Sequence, residues 1–284
     1  MLFLVDIILD ALLDTLKTLP FLFAAYLIIE FIEAKAEEKT VEIVHRAGKL
    51  GPVLGSALGV IPQCGFSAAT ANLYVSGLVT RGTLLAVFLS TSDEMLPILI
   101  SSAAPAGFIL KVLLYKVVAG MAAGMAVDII DRRFGLSRER HIHEMCEQEG
   151  CKCEDGIFKS AVIHTLKIAG FLLLVNFVLS LVIEYVGPDN IGRLILNKPV
   201  AGQFLAGLIG LIPNCAASVV ITQLYLQGSM SAGAMLSGLL TGSGVGLLVL
   251  FRMDRHSKEK YVTLIMLYVS GILFGILADL LPIF

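Results

Sequence analysis

Tryptophan is absent from this 284-residue chain, and charged residues make up only 15% of it. Without indoles, any interfacial aromatic belt must be built from tyrosine and phenylalanine. The charge content lies well below the roughly 25% of a soluble domain, and it accompanies 57% hydrophobic residues. Together these exclude a soluble α/β core. No basic patch is interleaved with aromatics, so nucleic acid is excluded as a partner. No Walker-type loop is present, so active transport would draw on an ion gradient or a partner. No cleavable leader is evident. Residues 2–13 are apolar, but Asp6 and Asp10 interrupt them, Asp14 follows, and no basic residue precedes them. The five cysteines do not form the even, dispersed framework of a disulfide-stapled ectodomain.

What is present is long apolar stretches and one phrase used twice. Gly59-Val60-Ile61-Pro62-Gln63-Cys64-Gly65-Phe66-Ser67 is matched by Gly210-Leu211-Ile212-Pro213-Asn214-Cys215-Ala216-Ala217-Ser218, 151 residues later. The same offset pairs Leu73-Tyr74 with Leu224-Tyr225, Gly77 with Gly228, Gly82 with Gly233 and Ser92 with Ser243. It also pairs Gly120, Gly124 and Asp128 with Gly271, Gly275 and Asp279. Upstream, Thr15-Leu16-Lys17 meets Thr165-Leu166-Lys167, shifted by one residue. These pairs imply one ancestral unit used twice.

Each half has four apolar blocks, at 15–33, 51–79, 82–104 and 107–130, then 160–187, 201–228, 232–251 and 261–282. A span needs about 20 apolar residues, so the chain reads as an all-α polytopic membrane protein. Pro62 lies about 16 Å into its block at 1.5 Å per residue, near mid-membrane. A polar break at that depth requires a cavity or protein cover. Lys and Arg collect in the loops at 34–50, 131–159 and 252–260 and are sparse at 101–106 and 188–200. All three basic loops face the cytoplasm only if each half crosses an odd number of times. The expected architecture is therefore two inverted-topology repeats. Each has about three spanning helices plus a re-entrant or broken-helix hairpin, about ten segments in all. The second block is the preferred hairpin, and the third, broken at Ser92-Asp93-Glu94, is the alternative. The boundaries are 1–130 for the first repeat, 131–158 for a cytoplasmic His/Cys-rich linker and 159–284 for the inverted second repeat. Both termini are then extracytoplasmic.

Asp93 and Glu94 interrupt an apolar block, where a charge is costly unless paired, protonated or bound to a cation. The second half has Gly244 and Val245 there, so carboxylates come from one half only. Gln63 and Asn214 offer amide oxygens, Ser67 and Ser218 hydroxyls, and Cys64 and Cys215 sulfur. Pro62 and Pro213 free backbone carbonyls and act as breaks. This mixed O/S set suits manganese, iron or zinc, and two thiolates shift it toward zinc, cadmium or copper(I). The plainer alternative is that both cysteines are small buried apolar residues and the amides satisfy freed backbone groups. Asn72 and Gln223 are weaker candidates. In the linker, His141, His143, Cys146, Cys151 and Cys153, with neighbouring carboxylates, suffice for a zinc-like site. Gly242-Ser243-Gly244-Val245-Gly246 looks like a phosphate loop but is better read as small-residue helix packing. His164 reads as a hydrogen-bonded interior residue, and Lys111 and Lys116 as pairing with acids or snorkelling to an interface.

Pro62-Gln63-Cys64-Gly65-Phe66-Ser67, Pro213-Asn214-Cys215 and the linker cluster resemble the bacterial ten-segment heavy-metal exporters, grouped with arsenic-efflux permeases and manganese transporters. The resemblance covers nearly the whole chain. It implies a multi-pass carrier of the bacterial plasma membrane for a metal or metalloid. The expected function is secondary active efflux of a divalent heavy-metal ion, manganese or zinc-like, by alternating access at the repeat interface. The alternative is a carrier for an oxyanion, metalloid or small organic anion coupled to protons or sodium. A thiol–disulfide relay or an intramembrane enzyme is a distant third, because no general-base partner is evident. No enzymatic activity and no cofactor are expected. The partners are bilayer lipid and the metal ion as substrate, with a homodimer left open.

Overall fold

A computed structural model of the protein describes residues 9, 12–13, 15–20, 22–24, 26–27, 50–61, 64–92, 95–134, 157–186, 201–254 and 258–281. All regular structure among them is helical. After helical residues in the stretch 9–27, the elements are α1 (Gly51–Gly59), α2 (Cys64–Val75), α3 (Arg81–Ser90), α4 (Met95–Ser101) and α5 (Ala106–Phe134). They continue as α6 (Ile157–Val186), α7 (Ala201–Gly210), α8 (Cys215–Leu226), α9 (Ala232–Thr241), α10 (Gly246–Met253) and α11 (Glu259–Leu280).

Four stretches are long and apolar enough to cross a membrane: Arg81–Ser101 and Ala232–Met253, counted through their breaks, and Ala106–Phe134 and Glu259–Leu280. The two interrupted stretches are mostly enclosed, and the two intact ones lie on the perimeter. Every residue of α3 is buried, whereas Leu110, Leu114, Val118 and Ile129 on α5 and Ile265, Val269 and Leu273 on α11 are exposed. Such a continuous apolar exterior is what lipid solvates. The protein is a multi-pass membrane protein.

The starts of the two enclosed helices are built alike. Thr80 caps α3 by accepting from the Thr83 N–H, and Ser231 caps α9 by accepting from the Ala234 N–H. A carboxylate from the neighbouring long helix completes each end. Asp128 Oδ1 accepts from the Gly82 N–H at 2.9 Å, and its Oδ2 from the Thr80 hydroxyl at 2.9 Å. Asp279 Oδ1 accepts from the Gly233 N–H at 2.7 Å, and its Oδ2 from the Ser231 hydroxyl at 2.9 Å. Helix starts leave N–H groups unpaired and carry partial positive charge, so an anion there satisfies both.

This contact demands near-contact of backbones. A Cβ on Gly82 would stand 2.2 Å from the Gly124 oxygen, and one on Gly233 would stand 2.3 Å from the Gly275 oxygen. The packing of α3 on α5 is thus matched, pair for pair, by that of α9 on α11.

The direction of each helix follows from these contacts. Arg81, opening α3, meets Glu259 at the start of α11, with Arg81 Nη2 and Glu259 Oε2 3.3 Å apart. Gly233, opening α9, meets Asp279 near the end of α11. The corresponding helices α3 and α9 therefore begin at opposite ends of α11.

Gly82→Ala should be destabilising by about 1–3 kcal/mol, the usual cost of overpacking. Gly107→Ala, where an added Cβ meets nothing within 4 Å, should be close to neutral. Thermal unfolding in detergent compares the two, and equal midpoints would refute the close-packed seam.

Candidate functional site

The region around the doubled phrase is shaped by a reversal of chain direction. Helix α1 runs beside α3 in the same sense, with Gly51 against Thr83, Gly55 against Val87 and Gly59 against Ser90. The chain then returns in α2. Ser67 lies where Gly246 and Phe88 meet, and Tyr74 reaches Arg81 at the start of α3, with Arg81 Nε donating to Tyr74 Oη at 3.4 Å. Gly59, where α1 ends, is therefore level with the end of α3. The second half repeats this path. Gly210 lies against Gly238 and Thr241, and after the turn Ser218 lies near Gly242 and Ile221 against Gly238.

Both enclosed helices stop at that level. Helix α3 ends at Ser90, and the Thr91 backbone turns away at ψ 127°. Helix α9 ends at Thr241, Gly242 is extended, and Gly244 takes the left-handed φ of 54° before α10 begins. Gly242-Ser243-Gly244-Val245-Gly246 is thus a break in the helix and not the continuous small-residue packing face expected from sequence. Glycine permits the positive φ, and Gly246 permits contact across the halves: a Cβ there would lie 2.7 Å from Ser67 Cβ.

Side chains bond to backbone groups near the breaks. The Thr91 hydroxyl donates to the Val87 carbonyl at 2.7 Å. Asn214 caps α8, its Oδ1 accepting from the Ala216 N–H at 2.9 Å. That bond uses one of two lone pairs on the amide oxygen. Lys116 is 1% exposed, and its ammonium donates to the Thr91 carbonyl beside the first break and to the Leu239 carbonyl of α9 at 3.0 Å. A cation so placed ties the first half to the second. Of the sequence alternatives for the lysines, Lys111 is exposed, whereas Lys116 neither snorkels nor reaches an interface.

The expected site residues divide clearly. Ser67 is fully buried, Asn214 is 6% exposed, and Ser218 and Pro213 are half-buried near the second break. Cys64 and Cys215 open α2 and α8, and their side chains lie outside the description. Pro62, Gln63, Asp93 and Glu94 lie outside the described residues, as do His141, His143, Cys146, Cys151 and Cys153. The flanks of the acidic pair are interior, with Ser92 1% and Met95 0% exposed. No group of three His, Cys, Asp or Glu placed to hold a metal ion occurs among the described residues. Of the weaker pair, Gln223 is exposed, while Asn72 is fully buried, accepts weakly from the Tyr26 hydroxyl at 3.4 Å and leaves its Nδ2 without a partner among the described residues.

Sequence reasoning missed Lys116 as a central residue. The available signal was a pair of cations, Lys111 and Lys116, within an apolar run, since charge inside a membrane segment marks function.

An enclosed helical centre with two broken helices inside an apolar exterior defines a polytopic membrane protein. The chain belongs to the family described as "Putative, 10TM heavy-metal exporter", whose sequence profile matches residues 4–189. That match takes in the first doubled phrase, the linker and the start of the second half. No curated protein and no solved structure matches the chain.

Lys116→Met should leave two buried carbonyls without their donor, at roughly 1–3 kcal/mol. The unfolding midpoint in detergent should fall well below that of Lys111→Met, an exposed position on the same helix. Equal midpoints would remove Lys116 from the seam.

Proposed function

We propose that the protein is a secondary active transporter of a divalent heavy-metal ion, manganese or zinc-like, working in efflux by alternating access. The observation carrying this reading is that each enclosed helix stops beside the returning arm that follows a doubled phrase, Ser67 near Phe88 of α3 and Ser218 near Gly242 after α9. There Ser67 of the first half meets Gly246 of the second. Transporters with inverted repeats place cargo at such a seam, on discontinuous helices near mid-membrane.

Support for inversion comes from α3 and α9 starting at opposite ends of α11. Support for a re-entrant hairpin comes from α1 and α2, which advance along α3 and return to its start. One spanning helix, one hairpin counted as two, one broken helix and one intact helix per half give the ten segments of the family's description. The end bearing Arg132, Arg133 and Lys258 is the cytoplasmic one by the distribution of basic residues. This puts the linker inside and both termini outside, in a bacterial plasma membrane.

In this reading Asp93 and Glu94 supply the charge that holds the ion. Gln63, Cys64, Ser67, Asn214, Cys215 and Ser218 complete its shell, and Pro62 and Pro213 keep the hairpin tips open. His141, His143, Cys146, Cys151 and Cys153 form a separate linker site for handing over or sensing metal. With no nucleotide loop in the chain, the driving force is an ion gradient or a partner, and secondary active transport takes the gradient. One observation favours the anion-carrier alternative: α8 and α10 open beside the breaks of the second half, at Cys215 and Gly246, where helix starts present backbone N–H groups.

Flux of radioactive manganese and zinc in oriented vesicles tests the reading. Asp93→Asn and Cys64→Ser should each lower flux about tenfold or more, a loss of roughly 1.4 kcal/mol or greater in cargo stabilisation. Unchanged flux in both variants would eliminate the proposed metal site. Competition by arsenite or an organic acid, without metal flux, would move the assignment to the anion carrier.

A further inference from the structure

Exchanging the halves at the 151-residue offset pairs Tyr74 with Tyr225 and Phe108 with Glu259. The structure makes both resulting cross-half contacts, but with different chemistry. At one, the Tyr74 hydroxyl donates to Glu259 Oε2 at 3.1 Å. Arg81 joins them, with Nη2 3.3 Å from Glu259 Oε2 and Nη1 3.1 Å from Asp131 Oδ1. At the other, the Phe108 and Tyr225 rings stack with centroids 5.4 Å apart and planes 5° from parallel. Arg81 and Asp131 correspond to Ala232 and Pro282, so the ionic cluster has no counterpart.

The two contacts lie at opposite ends of the molecule. Asp131 sits in the last turns of α5 and Phe108 in its first, 23 residues apart, or about 35 Å along the helix. Helix α2 carries Tyr74 to one end, and α8 carries Tyr225 to the other. Between them lies the buried level of Ser67, Thr91 and Lys116. Each contact joins the last turns of a returning hairpin helix in one half to the opening turn of an intact spanning helix in the other. Separating the halves at either end must break the contact there.

We infer that these contacts are the two gates of the carrier: a polar gate of Tyr74, Arg81, Asp131 and Glu259 at the basic-loop end, and an aromatic gate of Phe108 and Tyr225 at the opposite end. These are positioning residues that set which side the centre opens toward, and the assignment rests on the transport reading above. Both gates are closed together in this structure. Their chemistry makes them independently tunable. The ionic gate is partly shielded, with Arg81 and Glu259 side chains 5% and 34% exposed, so it keeps a charge interaction that the aromatic stack lacks. Removing one gate should bias the resting population toward the state open at that end, by roughly five- to a hundredfold.

The test uses the full-length protein in right-side-out and inside-out vesicles. A membrane-impermeant maleimide probes the native thiols, and alkylation of Cys64 and Cys215 is quantified by peptide mass spectrometry. The linker cysteines mark the basic-loop side. Glu259→Gln and Tyr74→Phe should raise labelling of Cys64 and Cys215 from the linker side by at least fivefold. Phe108→Ala and the milder Phe108→Leu should raise it from the opposite side. Equal increases from both sides, or none, in all four variants would overturn the gates, because general loosening has no sidedness. A sided shift without metal flux in the wild type would keep the gates and remove the metal assignment. Normal wild-type flux with no sided shift would keep transport and remove the gates.

Discussion

A helix interrupted in a lipid-thick interior leaves backbone donors and acceptors that water cannot reach, and each must find a partner within the protein. This requirement governs the arrangement of the whole molecule. Asp128 and Asp279 cover the starts of α3 and α9. The Lys116 ammonium meets the Thr91 carbonyl at the first break. Asn214 closes the start of α8. None of these groups can be supplied by lipid, so the interrupted helices must be enclosed and the intact helices α5 and α11 must form the wall. The division between enclosed and lipid-facing helices follows from hydrogen bonding as much as from hydropathy.

The same requirement makes the two halves interdependent. Helix α2 packs on α10 and α8 packs on α4, so each hairpin's returning arm rests on the broken helix of the other half. Lys116 on α5 reaches a carbonyl of α9, and the Tyr115 hydroxyl reaches the Phe274 carbonyl of α11. Neither half encloses its own break. An active centre placed at this level is necessarily shared, and it inherits whatever asymmetry the two copies have accumulated. The copies keep the residues that allow close approach, Gly82 with Gly233 and Gly124 with Gly275. They differ where charge matters: at the break, where Asp93 and Glu94 face Gly244 and Val245 in the alignment, and at the ends, where Glu259 corresponds to Phe108.

Much of this was legible in the chain. Composition and block lengths gave the all-helical membrane class, and the spacing of Gly82, Gly124 and Asp128 against Gly233, Gly275 and Asp279 marked residues that prove to touch. Pro62 and Pro213 marked the interruptions of the second block, because proline removes a donor and clashes with the preceding turn. The interruption after Thr241 was not legible. Gly-rich phrases serve equally for tight helix packing and for a break, and only the positive φ of Gly244 separates the two. Lys116 was ambiguous for a similar reason. A lysine stem can bury itself or extend to an interface, and the choice depends on which carbonyls neighbouring helices present.

The sequence by itself determined the class, the doubling and the proline-marked interruptions of the second block, because these depend on local hydropathy, backbone chemistry and the count of residues across a bilayer. Only the tertiary structure decided which break lies beside which tip, which cation ties the halves, and which residues meet across the two ends. Those pairings join positions up to 185 residues apart, as for Tyr74 and Glu259. They are fixed by mutual burial and by the need to pair every enclosed polar group, which no local pattern encodes.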